Sequence, residues 1–235
     1  MKTELGTARV IAALFLLQGV GGPIVNFVLL APAMKTPPGF LANASAHAMN
    51  IGWAVMIGLL TSAMSIGVAI AGWRVFSRHS KSMSIWLVVL ATAGFVLTGV
   101  EQISILSMLS LSQAFVAAGS ADVDRWQTAS VVVGSIRHWA HYMNLIAVCG
   151  TLCVFYGLLL RFSLVARALA AFGLAAALLM LVAVAMPVFG APIRFALLAP
   201  LGVAQLALAV WLIAKGFQTP THADPAGMAA TGVHE

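Results

Sequence analysis

Residues Leu164–Val188 read LVARALAAFGLAAALLMLVAVAMPV, and after Arg167 no side chain in that stretch carries a charge, an amide or a hydroxyl. A helix rises about 1.5 Å per residue, so roughly 20 such residues reach across a hydrocarbon layer about 30 Å thick. The stretch is read as a membrane span, and the rest of the chain agrees with it. Of 235 residues, 62% are apolar and 8% charged, and the mean hydropathy is +1.03. A soluble domain carries about 25% charged residues. A water-facing surface cannot be built from so few charges, which excludes a soluble enzyme or a nucleic-acid binder. Collagen-like, disulfide-scaffold and disordered classes are excluded with them.

Working outward, further apolar runs complete a set of six: 10–30, 51–73, 83–107, 134–160, 164–188 and 193–214. The first is too long for a signal-peptide core of about 7–15 residues and is read as a helix. These runs predict an all-α, integral membrane six-helix bundle in one domain over 1–217. Residues 218–235, mostly Thr, Ala, Gly and Pro, are expected to form a flexible cytoplasmic tail. No P-loop, dinucleotide fingerprint or internal repeat is present.

The net charge of +6 is spread singly between apolar runs, so the basic residues are topology signals rather than a nucleic-acid surface. Summed over alternate connections, one side receives Lys2, Arg9, Arg74, Arg78, Lys81, Arg161, Arg167 and Lys215. The other receives Lys35, Arg125 and Arg194, with Arg137 near it. The positive-inside rule makes the first side cytoplasmic and places both termini there. Cys149 and Cys153, four apart on one helix face, are read as small packing residues. Gly21-Gly22-Pro23 is expected to break the first span, and Pro200 to bend the sixth.

Counting depth from the basic ends, five helices bring polar groups to one level near the outer edge of the hydrocarbon. Glu101, His141, Asn144, Asn26, Asn50 and, on the sixth span, Arg194 share it, with His47 a turn beyond Asn50 and Gln102 beside Glu101. The other half of the bundle is expected to hold almost no polar group apart from Gln205. On the fourth span Arg137, His141 and Asn144 follow at i, i+4 and i+7, and His138 adjoins that face. Ionisable groups within spans face the bundle interior or a water-filled cavity and pair with one another. Glu101, the one acid at this depth, is the natural partner for Arg137 or a histidine.

Three readings compete for this cluster. It is an ion-pair network that pins helices together, a solute or ion site in an outward-facing vestibule, or a metal site using His138, His141 and Glu101 with His47. A bis-histidine haem would likewise need His47 as its second ligand. Hydrolysis is disfavoured by the lack of GxSxG, HExxH or paired acids, and Ser104, Ser107, Ser110 and Ser112 are read as close-packing residues. The sequence names no cofactor. Residues 103–136 stay apolar beyond the outer boundary. They predict either a protruding hairpin or interfacial helices, and a surface for a homo-oligomer.

Two segments carry a family likeness: HWAHYMN at 138–144, and LALAVWLIAKGF at 206–217. With Val165–Leu169 and Arg9 they resemble a bacterial family of multi-pass membrane proteins classed as a domain of unknown function. The resemblance implies a bacterial inner-membrane protein of about six helices and brings no established activity. The reading adopted is a multi-pass inner-membrane protein that is more plausibly not an enzyme. It binds or passes a small solute or ion through its vestibule. Glu101 and Arg137 form the charged pair, His138 and His141 are titratable contacts, and Asn26, Asn50 and Asn144 are hydrogen-bonding groups. The alternatives are a haem- or metal-bearing redox protein and a non-catalytic scaffold.

Overall fold

A computed structural model describes residues 2–119 and 122–218; the tail from 219 onward lies outside the described residues. Six helices are long and apolar enough to cross a membrane: α1 (Glu4–Met34), α2 (Ser45–His79), α3 (Lys81–Ala118), α4 (Val123–Arg161), α5 (Arg167–Phe189) and α6 (Phe195–Ala214). Among the described residues there is no strand. The protein is an all-α, six-helix integral membrane bundle.

The strongest contacts run α1 to α2, α2 to α3, α3 to α4, α4 to α5, α5 to α6, and from α6 back to α1. The helices therefore close a ring in chain order. Short connections make this possible. Between α2 and α3 only Ser80 turns the chain, with an extended backbone and a hydroxyl that accepts from the Met83 amide at 3.3 Å. That bond satisfies one of the orphan N–H groups at a helix start. At the far side of the ring, α6 stops at Gly216, whose φ of +71° suits a residue without Cβ. The chain then lays Phe217 edge-on against Phe76, 5.7 Å between ring centres.

Many large apolar side chains face outward, as lipid contact requires; Phe27, Trp53, Val131 and Val203 are examples. The buried ones form two clusters. The larger is built on Phe15, Phe76, Leu87, Phe155, Tyr156 and Leu208. The smaller holds Val25, Leu30, Ile51, Val55 and Ile105. On α2 and α3 the clusters are separated by residues 57–66 and 94–102, and buried Thr98, Glu101 and Gln102 lie in that gap.

Three expectations change in detail. First, α3 and α4 continue without a break to Ala118 and from Val123, well past the boundaries read at 107 and 134. The apolar residues 103–118 and 123–136 thus continue the two long helices as one hairpin and are not separate interfacial helices. Second, Pro200 lies in the first turn of the last α-helix, Ala199–Ala214, after a 3-10 turn at Phe195–Leu197. A proline there loses no intrahelical bond, so it starts the helix instead of bending it. Third, the break at Gly21-Gly22-Pro23 takes a specific form. Regular helix ends at Pro23 and a π segment follows over Ile24–Leu29, with the Leu30 amide reaching back to the Val25 carbonyl at 3.0 Å.

Candidate functional site

α3 and α4 face each other along most of their length, so residues at equal height meet. From Met83, Glu101 is about 27 Å along α3; from Arg161, Asn144 and His141 are about 25 and 30 Å along α4. The two α4 residues bracket the carboxylate, and the structure joins all three. His141 Nδ1 is 2.8 Å from Glu101 Oε1, and Asn144 Nδ2 donates to Oε2 at 3.1 Å. The Glu101 side chain is 9% exposed and that of His141 30%. A buried carboxyl with both oxygens partnered from the next helix is well satisfied.

The network continues inward. Thr98 Oγ1 lies one turn below Glu101 and reaches Asn144 Oδ1 at 3.3 Å, Ser62 Oγ at 2.9 Å and the Gly94 carbonyl at 3.0 Å. Its one proton serves these acceptors in turn. A polar file thus runs Glu101, Asn144, Thr98, Ser62, crossing from α3 to α4, back to α3 and on to α2. It ends at an interior cavity of about 60 Å³ lined by residues of five of the six helices. Gln18, Ser62, Ser65, Thr151 and Gln205 supply its polar wall, and Phe15, Phe155 and Leu87 are among its apolar groups. Gln18 Nε2 donates to the Ser65 hydroxyl at 3.0 Å and to the Thr61 carbonyl at 3.2 Å. Gln205, read as almost the only polar group below the outer layer, is therefore not alone at its depth. Four polar residues besides Gln205 converge there.

The remaining expected site residues stand apart. Arg137 makes no ion pair with Glu101 among the described residues, and its buried Nε has no hydrogen-bond partner. At about 36 Å from Arg161 it sits a turn or more beyond the carboxylate. His141 and Asn144 are the hydrogen-bonding partners of Glu101, while Arg137 acts on the carboxylate by its charge alone, from farther off. His138 is exposed and packs edge-on against Trp139 and Tyr142, at 5.2 and 4.9 Å between ring centres. Asn26 donates within its own helix to the Gly22 carbonyl at 3.1 Å, where the helix register changes. His47 ends a 3-10 turn before the long helix of α2, and Asn50 lies half-buried a turn later. Among the described residues no three His, Cys, Asp or Glu side chains are placed to hold a metal ion. Gln102 is buried, with its Nε2 against Gly58 and its Oε1 lacking a partner.

The serines of α3 behave as packing and turn-bonding groups. Ser104 and Ser107 donate to carbonyls one turn back, and buried Ser112 accepts from the Ser45 amide at 2.9 Å. That last bond holds the start of α2 against α3.

A family model described as a domain of unknown function (DUF4386) matches residues 10–216. No curated protein and no solved structure matches the chain.

Proposed function

We propose, for a chain that belongs to the family of domain of unknown function DUF4386, that the layer around Glu101 is a vestibule that binds a small solute or ion and passes it into the ring. One observation carries the reading. A buried carboxyl heads a hydrogen-bonded polar file that ends at a cavity lined by residues of five helices. Carboxyl groups within spans are expensive and mark substrate or ion pathways. Glu101, His141 and Asn144 make the first contact, and Thr98 and Ser62 lie next along the path. Arg137 and His138 stand at the rim, with Asn26 and Asn50 as flanking hydrogen-bonding groups. The charge asymmetry supports an outward-facing mouth and cytoplasmic termini in a bacterial inner membrane.

The scaffold reading draws support from a different observation. Both Glu101 oxygens already find partners inside the protein, and the hairpin beyond them exposes Ile103, Val131 and Ile136. A second copy of the chain is the partner that face would take. A haem or metal role for His138, His141, Glu101 and His47 draws the least support from the geometry.

The test uses purified protein in lipid nanodiscs, with thermal shift measured against a panel of inorganic ions and small solutes. The expected result is a ligand that raises the melting temperature of the wild type and not of Glu101→Gln, while both remain folded. If no ligand shifts the wild type and Glu101→Gln only lowers its melting temperature, the scaffold reading replaces the vestibule. A Soret band or stoichiometric metal in the same sample moves the assignment to the cofactor reading.

A further inference from the structure

We infer that the interior cavity is a binding chamber for a small, uncharged, hydrogen-bonding solute, of the size and chemistry of a simple amide. The inference rests on the reading of the chain as a protein that passes solutes, and it names the class that the ring interior accepts.

Position comes first. Gln18, Ser65, Thr151 and Gln205 lie nine or ten residues from the basic residue near the end of their own helix, namely Arg9, Arg74, Arg161 and Lys215. That is about 13–15 Å, the middle of a hydrocarbon layer about 30 Å thick. Four helices thus bring an amide or hydroxyl to one level at the bundle axis. Lipid-facing positions give no reason for that coincidence.

The hydrogen-bond accounting points to a ligand. Gln205 lines the cavity and makes no hydrogen bond among the described residues. Gln18 commits both donations of its Nε2 to α2, which leaves its Oε1 free as an acceptor. Ser65 accepts from Gln18, so its own proton remains available. The chamber therefore offers donors from Ser65 and Gln205 and acceptors from Gln18 and Gln205, a set that an amide matches at both ends. Phe15 and Phe155 supply apolar walls for the rest of such a molecule.

Charge is excluded by the lining. Among the described residues no acidic or basic side chain lines the cavity, and an ion without a charged partner at this depth is strongly disfavoured. A proton path is disfavoured as well, because the amide of Asn144 interrupts the file and has no hydroxyl to hand a proton on. The volume of about 60 Å³ has room for about four waters at roughly 15 Å³ each, or for a solute of about four heavy atoms. Gly94 keeps this space open. It is buried, it lines the cavity, and a Cβ built on it meets no atom within 4 Å.

The experiment uses the full chain in nanodiscs for binding and in proteoliposomes for uptake. The probes are labelled acetamide, acetate and acetamidinium, which share four heavy atoms and differ in charge. Acetamide is expected to bind and the two ions are not. Gln205→Leu, which removes one amide at similar volume, is expected to weaken acetamide binding about tenfold, the loss of roughly one hydrogen bond. Gly94→Ala, whose methyl enters open space, is expected to weaken it as well and guards against misfolding of the first variant. Wild type that fails to bind acetamide, ions that bind as tightly as acetamide, or both variants binding like wild type each overturn the chamber. The passage reading fails separately. Acetamide binding with uptake no faster than in empty vesicles overturns passage and leaves the chamber standing.

Discussion

The contact between Glu101 and His141 can be measured as a coupling energy. Glu101 is 6% exposed and accepts from two donors on α4, so Glu101→Ala leaves both without a partner. At about 1 kcal/mol or more for each half-buried donor left without a partner, the single substitution should cost about 2–3 kcal/mol. His141→Ala leaves the Asn144 bond intact and should cost less, about 1–2 kcal/mol. Hydrogen bonds between spans average about 0.6 kcal/mol in double-mutant cycles, and charge-assisted ones are roughly twice as strong. The cycle Glu101→Ala with His141→Ala should therefore give a coupling of about 1 kcal/mol. Reversible unfolding in mixed micelles of increasing SDS fraction reads all four corners. A coupling below about 0.3 kcal/mol, the range in which independent sites add, would refute the bond as the organising contact of the site. The parallel cycle of Glu101→Ala with Arg137→Ala reads the longer-range contact described above. It should give the smaller coupling, and a larger one would restore the charged pair that the sequence suggested.

Three further outcomes are expected. Gly173→Ala places a methyl on the Tyr156 ring between α4 and α5, where the obstruction is a rigid aromatic in the core; a loss of about 3 kcal/mol or a failure to fold is expected. Tyr156→Leu in the same chain should restore folding, as read by size exclusion. Gly216→Ala forces a side chain onto a φ of +71° with its Cβ 3.0 Å from Leu5 Cδ1, at a cost of about 1–2 kcal/mol, and Gly216→Asn should be milder in the same unfolding assay. A cysteine at Val131, 71% exposed on the hairpin, should crosslink to its counterpart in native membranes if a second copy covers that face. A monomer throughout would count against the homo-oligomer.

How much of this the sequence carried depends on which coordinate of a helix it fixes. Height is legible, because the rise per residue is constant and the basic residues mark one end. That is why the six spans, and Glu101, His141 and Asn144 on one level, are found without a structure. The partner of Glu101 is partly legible by the same means, since Arg137 counts to about 36 Å against about 27 Å for the carboxylate. Opposite charge outweighed a height mismatch of more than one helical turn, and the structure sides with height. The motif WLIAKGF is likewise physical. Lys215 lies 4.5 Å from the centre of the Trp211 ring, Gly216 turns the chain and Phe217 seals against Phe76.

What height leaves open is azimuth, the direction in which a side chain leaves its helix. Asn26 has the right height and bonds to its own helix instead. Serine, threonine and glutamine pose the problem more sharply, because they occur in spans as packing and back-bonding groups and a single one signals nothing. Ser107 and Ser65 look alike in the sequence, yet one bonds its own turn on the exposed surface and the other faces the cavity. Only closure of the ring separates them, since it gives every helix an inside. Yet a trace of the chamber was present. Gln18, Ser65, Thr151 and Gln205 stand nine or ten residues from a basic residue on four different helices, and counting from both marked groups and marked ends would have drawn that second level. A polar residue isolated on one helix is a weak signal. The same residue type at equal height on four helices of a closed ring has only the interior to share.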